Sequence, residues 1–501
     1  MLQVVSSLDH LESCNTDVLS VFGLHLLPCL DKWLLENPKR FLVCIEKNLQ
    51  AFLQAKAQWQ NPQVRLYHWD SNASLCHRIA WEFCLLCLTQ VATCEEELIF
   101  SKMLEEIHVQ VHLLISDFRD LGEVIIGNLL QNVGQMPTSL LGESLENCCQ
   151  NIPAIICGAG PSLDGQIPML IQAQEKALLF GAGSAMCALE TQGVCPHFGV
   201  AFDPDPPPGR YLTQIGYETP YFYQSRIASR QLASLHGQKL WMPDSDNYPL
   251  ERWIYQELGL NYPLMDSGFT AANFCALIAV HLGCNPIICV GMDFCSPRNQ
   301  VYAAGMQADQ GNWVECINAK KEKRISKPDW LASTSWLDQF AEKNREIKWI
   351  YTDQEAMPLA HVKYLPLEQV SLPSAFDTVS FSYALTARAA RSEITQESLR
   401  AVLHRLGNSF IEALDLCNQL LKLWEKHYPH SILETGELAL LESDLAQNIC
   451  VQKLLLPLWE IWKWPILRQE EHIPTRTLHQ HLFFKKAVEI HLSTFKSLKI
   501  C

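Results

Sequence analysis

The segment Pro153 to Leu163, PAIICGAGPSL, constrains this chain more than any other. An apolar run from Ala154 to Cys157 reads as a buried parallel strand. It feeds straight into Gly158-Ala159-Gly160-Pro161-Ser162, a turn that delivers the chain into a helix. Glycine permits positive φ and close backbone approach, proline presets φ for the first helical turn, and serine offers a hydroxyl beside free helix amides. Two readings follow, a phosphate-cradling loop for a nucleotide or nucleotide-sugar and a plain strand-to-helix turn.

The pattern repeats downstream. KALLFGAGSAMCALE carries a strand that ends in Gly181-Ala182-Gly183-Ser184, and PHFGVAF ends at Asp203-Pro204-Asp205. Open α/β sheets bind ligands at the carboxyl ends of their strands, so three consecutive strands ending in small or acidic residues predict a site built from several loops. After Asp205 come the strand PYFYQS, the helix SRQLASLHG, the strand QKLWMP, the helix YPLERWIYQELG, a helix from Phe269 to Leu282 and the strand NPIICVGMDF. Alternation at this spacing predicts a doubly wound, mostly parallel sheet over residues 150–370.

The flanks differ from this centre. In residues 1–149, DVLSVFGLHLLPCLDKWLLENPKRFLVCIEKN reads as strand, turn, helix and a strand ending at Glu46, the outline of a Rossmann-like half. Glu46 stands where a ribose-binding acid would sit, but the glycine fingerprint has shrunk to Gly23 followed by Leu24 and His25, which favours a structural relic over a working cofactor site. Residues 371–501 hold leucine-rich helical patterns and no strand series, so a helical C-terminal domain is expected.

At 501 residues two or three domains are expected, and no uncharged apolar stretch is long enough to span a membrane. The N-terminus has acidic residues and lacks the basic flank of a secretory signal, which predicts a cytoplasmic protein. A net charge of −15 argues against bulk nucleic-acid binding. The 20 cysteines are scattered through apolar runs, as buried reduced thiols would be. Cys84 and Cys87 form a C-x-x-C inside WEFCLLCLTQVA, read as an apolar helix, with no second pair at zinc spacing.

The blocks CGAGPSLD, GAGSA, FDPD, SGFTAANFCALIAVHLGCNPIICVGMDF, VYAAG and WLDQFAEKNREIKWIYTD together resemble one known family. It comprises the motility-associated factor (Maf) glycosyltransferases and the archaeal MptE-like 6-hydroxymethylpterin diphosphokinases. The resemblance spans residues 150–370, and the flanking regions resemble the three-part layout of Maf proteins. It implies a fold akin to bacterial sialyltransferases and transfer of a nonulosonic acid from a CMP-activated donor to a protein hydroxyl. The alternatives it leaves are a diphosphokinase using ATP and Mg²⁺, and a non-catalytic protein that keeps the fold. No Walker-type G-x-x-x-x-G-K-[ST] is present, so a P-loop route is excluded.

Carried onto this chain, the resemblance implies that Gly158, Ala159, Gly160, Pro161 and Ser162 hold the donor phosphate or ribose, with Gly183 and Ser184 on the opposite wall. Asp203 or Asp205 would contact a nucleotide hydroxyl or a metal, and Gly291, Met292 and Asp293 would close the pocket. Asp293 is the preferred general base, with loop capping as its plain role, and Tyr302 is a second catalytic candidate that could instead pack over the loop. Asp203 and Asp205 match the D-x-D spacing that can share a divalent ion, or they end a strand before Pro206, Pro207 and Pro208. Ser267 and Thr270 are helix caps by type and ligand contacts by resemblance. His281 reads as packing. The family's glycine pair is replaced by Ala356, Met357 and Pro358, with His361 nearby, and the basic stretch NAKKEKRISKPDW reads as a solvated loop.

Overall fold

Short β-branched and aromatic runs, most of them followed by a helix, dictate two mostly parallel sheets in this protein. The computed structural model describes residues 2–7, 16–69, 72–207, 218–244, 248–297, 300–306, 313–427, 436–468 and 473–497; Pro208 falls outside them. The chain forms two compact units. One comprises Met1–Asp120, Asp415–Gln447 and Leu455–Ala487; the other comprises Leu121–Leu414, Asn448–Leu454 and Val488–Cys501.

The first unit contains strands β1 (Leu2–Val5), β2 (Val18–Phe22), β3 (Phe41–Glu46), β4 (Val64–His68) and β5 (Leu88–Val91). They form a five-stranded sheet in the order β1-β5-β2-β3-β4, parallel throughout. Leu27, Leu30 and Leu34 of the helix Leu27–Leu35 pack on Leu19, Val21, Leu42 and Cys44. The turn after β2 is closed by the protein itself. Glu46 accepts the Leu24 amide at 3.3 Å, and the His25 ring lies where a Gly23 side chain would start, 2.6 Å from an added Cβ.

The expected helix around Cys84 and Cys87 is not there. The helix Asn72–Glu82 stops before Cys84, Leu85 adopts φ +65°, and β5 begins at Leu88. Pairing with both β1 and β2 draws this apolar run into the sheet, overriding its helical periodicity. The 18 described cysteines are all free thiols.

The second unit holds β6 (Leu140–Leu141), β7 (Ala154–Cys157), β8 (Leu178–Ala182), β9 (Phe198–Ala201), β10 (Tyr221–Tyr223), β11 (Lys239–Trp241) and β12 (Ile287–Val290). These are followed by β13 (Val314–Ile317), β14 (Lys323–Ser326), β15 (Trp349–Tyr351), β16 (Lys363–Tyr364) and β17 (Ala390–Arg391). Ten of these strands form one sheet, ordered β16-β15-β12-β7-β8-β9-β10-β11-β6-β17, parallel except for the β17–β6 pair. Alternation along β7 splits the core. Ile156 packs with Phe274 and Ile278 of the helix Ala271–His281, whereas Ile155 and Cys157 pack with Leu163, Ile167 and Leu170 of the helix Leu163–Ala173. Helices on both faces make the sheet doubly wound, as its apolar strands predict.

The basic stretch expected as a solvated loop is a hairpin. β13 and β14 pair antiparallel, and two of its cations are tied to acids, Arg324 to Glu322 and Glu355 and Lys320 to Glu355. The C-terminal region is helical, with long helices at Gln396–His427, Gly436–Gln447, Leu456–Leu467 and Ile473–Ser497.

Candidate functional site

The chain leaves β7 toward β8 on one side and returns to β12 on the other, so the winding direction reverses between β7 and β12. Loops at the carboxyl ends of two such strands diverge, which opens the crevice where α/β folds bind ligands. The loop Gly158–Ser162 follows β7, and Gly291, Met292 and Asp293 follow β12. These two segments touch.

Gly158 and Gly160 do not adopt positive φ here; Gly291 does, at +63°. Their lack of a side chain serves backbone contact. A Cβ on Gly158 would meet the Gly291 carbonyl at 2.4 Å, one on Gly291 would meet the Gly158 carbonyl at 2.5 Å, and one on Gly160 would meet the Asp293 carboxylate at 2.5 Å. The Gly158 amide donates to Val290 O and the Gly160 amide to Gly291 O, both at 2.8 Å. The glycines are therefore spent on docking one strand end against the other.

Asp293 fastens the same junction. Its carboxylate accepts the Ser162 amide at 2.9 Å and, through its other oxygen, a very short bond from the Ser162 hydroxyl. Burial is the main force that pushes its pKa up to about 7; the Ser162 bonds oppose the rise, and the charges of Asp353 and Glu355 add to it. With Ser162 turned to Asp293, the helix Leu163–Ala173 has no side-chain cap. The Met292 carbonyl accepts a very short bond from the Tyr351 hydroxyl.

A third segment closes over the loop. The Ala303 amide donates to Ala159 O at 2.9 Å, and the Ala304 amide reaches the Asp164 carboxylate at 3.0 Å. This sets half-buried Tyr302 beside the loop, edge-on to Trp330 with ring centroids 5.7 Å apart. The Lys327 ammonium donates to the Tyr302 hydroxyl at 3.4 Å and lies 4.9 Å from the Trp313 ring and 5.1 Å from the Trp330 ring. Lys327 is a residue that sequence reasoning missed. It was hidden in a charge-rich stretch, and its only distinguishing sign there was Pro328, which starts the helix Pro328–Lys343 immediately after it.

Gly183 has φ +49°, and its Cβ would lie 3.3 Å from that of Ala271, so the β8 loop abuts the start of the helix Ala271–His281. Ser184 stands at the start of the helix Ala185–Thr191 and makes no side-chain cap. Thr270 caps its helix by accepting the Asn273 amide at 3.4 Å, and Ser333 donates to its hydroxyl at 3.3 Å. Ser267 is buried and donates to Gln224 at 3.1 Å, beyond the end of β10.

The remaining residues have work elsewhere. Asp203 accepts the Asp205 amide at 3.1 Å in a local turn, and Asp205 pairs with Arg230 at 2.7 Å. Among the described residues no group of three or more His, Cys, Asp or Glu side chains is placed to hold a metal. Asp203 and Asp205, the D-x-D pair, thus share one turn after β9, with one oxygen of each carboxylate engaged within the protein. His361 faces Asp338 at 3.2 Å, and His281 meets the Glu143 carbonyl at 2.9 Å. Met357 donates its amide to Asp293 O at 3.0 Å, so the segment lacking the family's glycine pair still packs against the site.

Comparison with known proteins agrees with this architecture. A family model described as 6-hydroxymethylpterin diphosphokinase MptE-like matches residues 127–299. Among solved structures, a Maf glycosyltransferase from Magnetospirillum magneticum AMB-1 superposes with a TM-score of 0.59 at 15% identity. That match covers 97% of this chain and 79% of the other. No curated protein matches the sequence. The chain thus resembles the Maf/MptE-like family and has a glycosyltransferase-like fold. None of its described helices is long and apolar enough to cross a membrane.

Proposed function

We propose that this protein is a glycosyltransferase that binds a nucleotide-activated sugar in the crevice between β7 and β12 and transfers the sugar to a protein hydroxyl. By analogy with the Maf proteins it resembles, the donor is a CMP-activated nonulosonic acid. The observation that carries this reading is the fastened junction at the switch point, where Ser162 and Asp293 hold the Gly158–Ser162 loop in place at the strand ends. The similarity to a glycosyltransferase also extends over 97% of the chain, well beyond residues 127–299, to which the diphosphokinase-like model is confined.

In this reading the Gly158–Ser162 loop and the Gly291–Asp293 turn form the floor of the site, Gly183 and Ser184 one wall, and Tyr302 the cover. Asp293 acts as a positioning residue: both of its oxygens are engaged by Ser162, and it keeps the loop from collapsing. Asp203 and Asp205 belong to the rim, and no step runs through a metal. The test is release of CMP from a CMP-activated nonulosonic acid, compared between the natural protein and Ser184→Trp, which narrows the crevice. Turnover by the natural protein and its loss in the variant are expected. Equal release by both, or none by the natural protein, would overturn the assignment.

A further inference from the structure

The carboxyl edge of the large sheet carries a group of buried acids well away from the Gly158–Ser162 loop. β11 lies four strands from β7, about 19 Å at the usual spacing of neighbouring strands. A cavity of about 270 Å³ opens where β11 ends, close to the lower bound for small-ligand sites. Its walls include Trp241, Tyr255 and Tyr262, with the Trp241 ring 4.7 Å from that of Tyr255 and 5.5 Å from that of Tyr262. Leu264, 47% exposed, stands on its open side.

Glu251 joins the lining from the first turn of the helix Pro249–Glu257 and is only 3% exposed. Neither of its carboxyl oxygens accepts a hydrogen bond from a described residue. Ser225 and Tyr255 lie beside it, but their hydroxyls are joined to each other by a very short bond, and the Trp241 indole N–H donates to Ser225 at 3.0 Å. Asp244, after β11, is the second acid in the lining, and Arg226 stands 3.9 Å from it. One cation does not balance two carboxylates. Burial and the neighbouring Asp244 push the pKa of Glu251 up to about 8, against the pull of Ser225, Tyr255 and Arg226. Arg252, the other cation in the lining, is exposed, where water and salt screen it. A buried carboxyl without hydrogen bonds costs stability, and a ligand bearing N–H donors removes that cost.

We propose that this cavity binds a small organic cation, an alkylammonium or guanidinium group, whose N–H donors meet the Glu251 carboxylate and whose charge lies against the Trp241, Tyr255 and Tyr262 rings. The group belongs either to a free amine or to a basic side chain of a peptide, and both offer the same chemistry. The site is independent of the glycosyltransferase reading. Glu251 is mostly protonated at pH 7, so the cation takes the place of its proton, which passes to water.

The experiment titrates butylguanidine, its neutral isostere butylurea and N-acetylarginine amide into the natural protein, Glu251→Gln and Leu264→Trp, read by calorimetry. Glutamine keeps the shape of Glu251 and removes its charge. Butylguanidine is expected to bind about 10–100-fold more weakly to Glu251→Gln, with butylurea weak and unchanged. Leu264→Trp, at an exposed position, should also weaken it by narrowing the opening. Failure of both cations to bind, equal affinity for butylguanidine and butylurea, or full affinity in either variant would overturn the proposal. Binding of N-acetylarginine amide alongside butylguanidine upholds the site and assigns it to a peptide side chain; its exclusion upholds the site for a free amine. If Glu251→Gln fails to fold, the natural protein alone decides the matter through its pH profile. Affinity for butylguanidine should rise about tenfold per pH unit up to about pH 8 and then level off, as the Asp244–Glu251 pair loses its proton. Arg226, Tyr223 and Tyr255, which also face Glu251, do not titrate in this range, the two tyrosines being pushed further up by burial. A flat profile between pH 6 and pH 8 would contradict the assignment.

Discussion

Asp293 shows how one residue joins sequence, packing and chemistry. It follows a fully apolar strand, so its carboxyl is carried into the interior, and burial raises its pKa to about 7. Because the folded pKa lies above the unfolded one, the native state holds the proton more tightly, and Asp293 costs stability progressively as pH rises from about 4 to about 7. Asp293→Asn removes that titration. Its stability relative to the natural protein should increase across this window by up to about 1.4 kcal/mol per pH unit and level off above it. Denaturant melts at several pH values check this, and a flat difference would refute it. The residue's place at a strand end was legible in the sequence. Its engagement with Ser162 was not, because that bond joins positions 131 apart in the chain. The same holds for Gly158 and Gly291, whose mutual contact no local pattern encodes. Lys327 was missed because a lysine among lysines carries no sign of the aromatic box that encloses it.

At the scale of single elements, the centre of the chain was read well because buried parallel strands are continuous apolar runs with glycine or acid at their ends. The errors fell where tertiary pairing overrode local periodicity. The run after Glu82 looks helical by composition, yet a left-handed Leu85 and two strand partners make it a turn and a strand. Arg468 secures that turn by donating to the carbonyls of Glu82 at 2.9 Å and Cys84 at 2.8 Å. Arg468→Met should therefore destabilise the first unit by about 1.5–3 kcal/mol, the usual worth of hydrogen bonds from a charged group, as measured by urea denaturation. A change below about 0.5 kcal/mol would show that the turn holds without it. The β13–β14 hairpin was read as a loop because its strands are short and half-exposed, and alternation over four residues is a weak signal.

For the whole molecule, the sequence order of strands and helices made a doubly wound sheet legible, whereas the long-range closures around it were not. The Gly158–Ser162 loop meets two segments more than 120 residues further on, Gly291–Asp293 and Tyr302–Ala304, where the chain reverses its winding between β7 and β12. That convergence is the basis for proposing a nucleotide-sugar site there. Calorimetric titration of the purified full-length protein with CMP and with ATP, each with and without Mg²⁺, tests this most directly. Saturable binding of CMP that does not require Mg²⁺ is the predicted result. Mg²⁺-dependent binding of ATP with no heat from CMP would contradict the glycosyltransferase reading and favour diphosphoryl transfer, and silence with both nucleotides would mark a fold kept without its ligand.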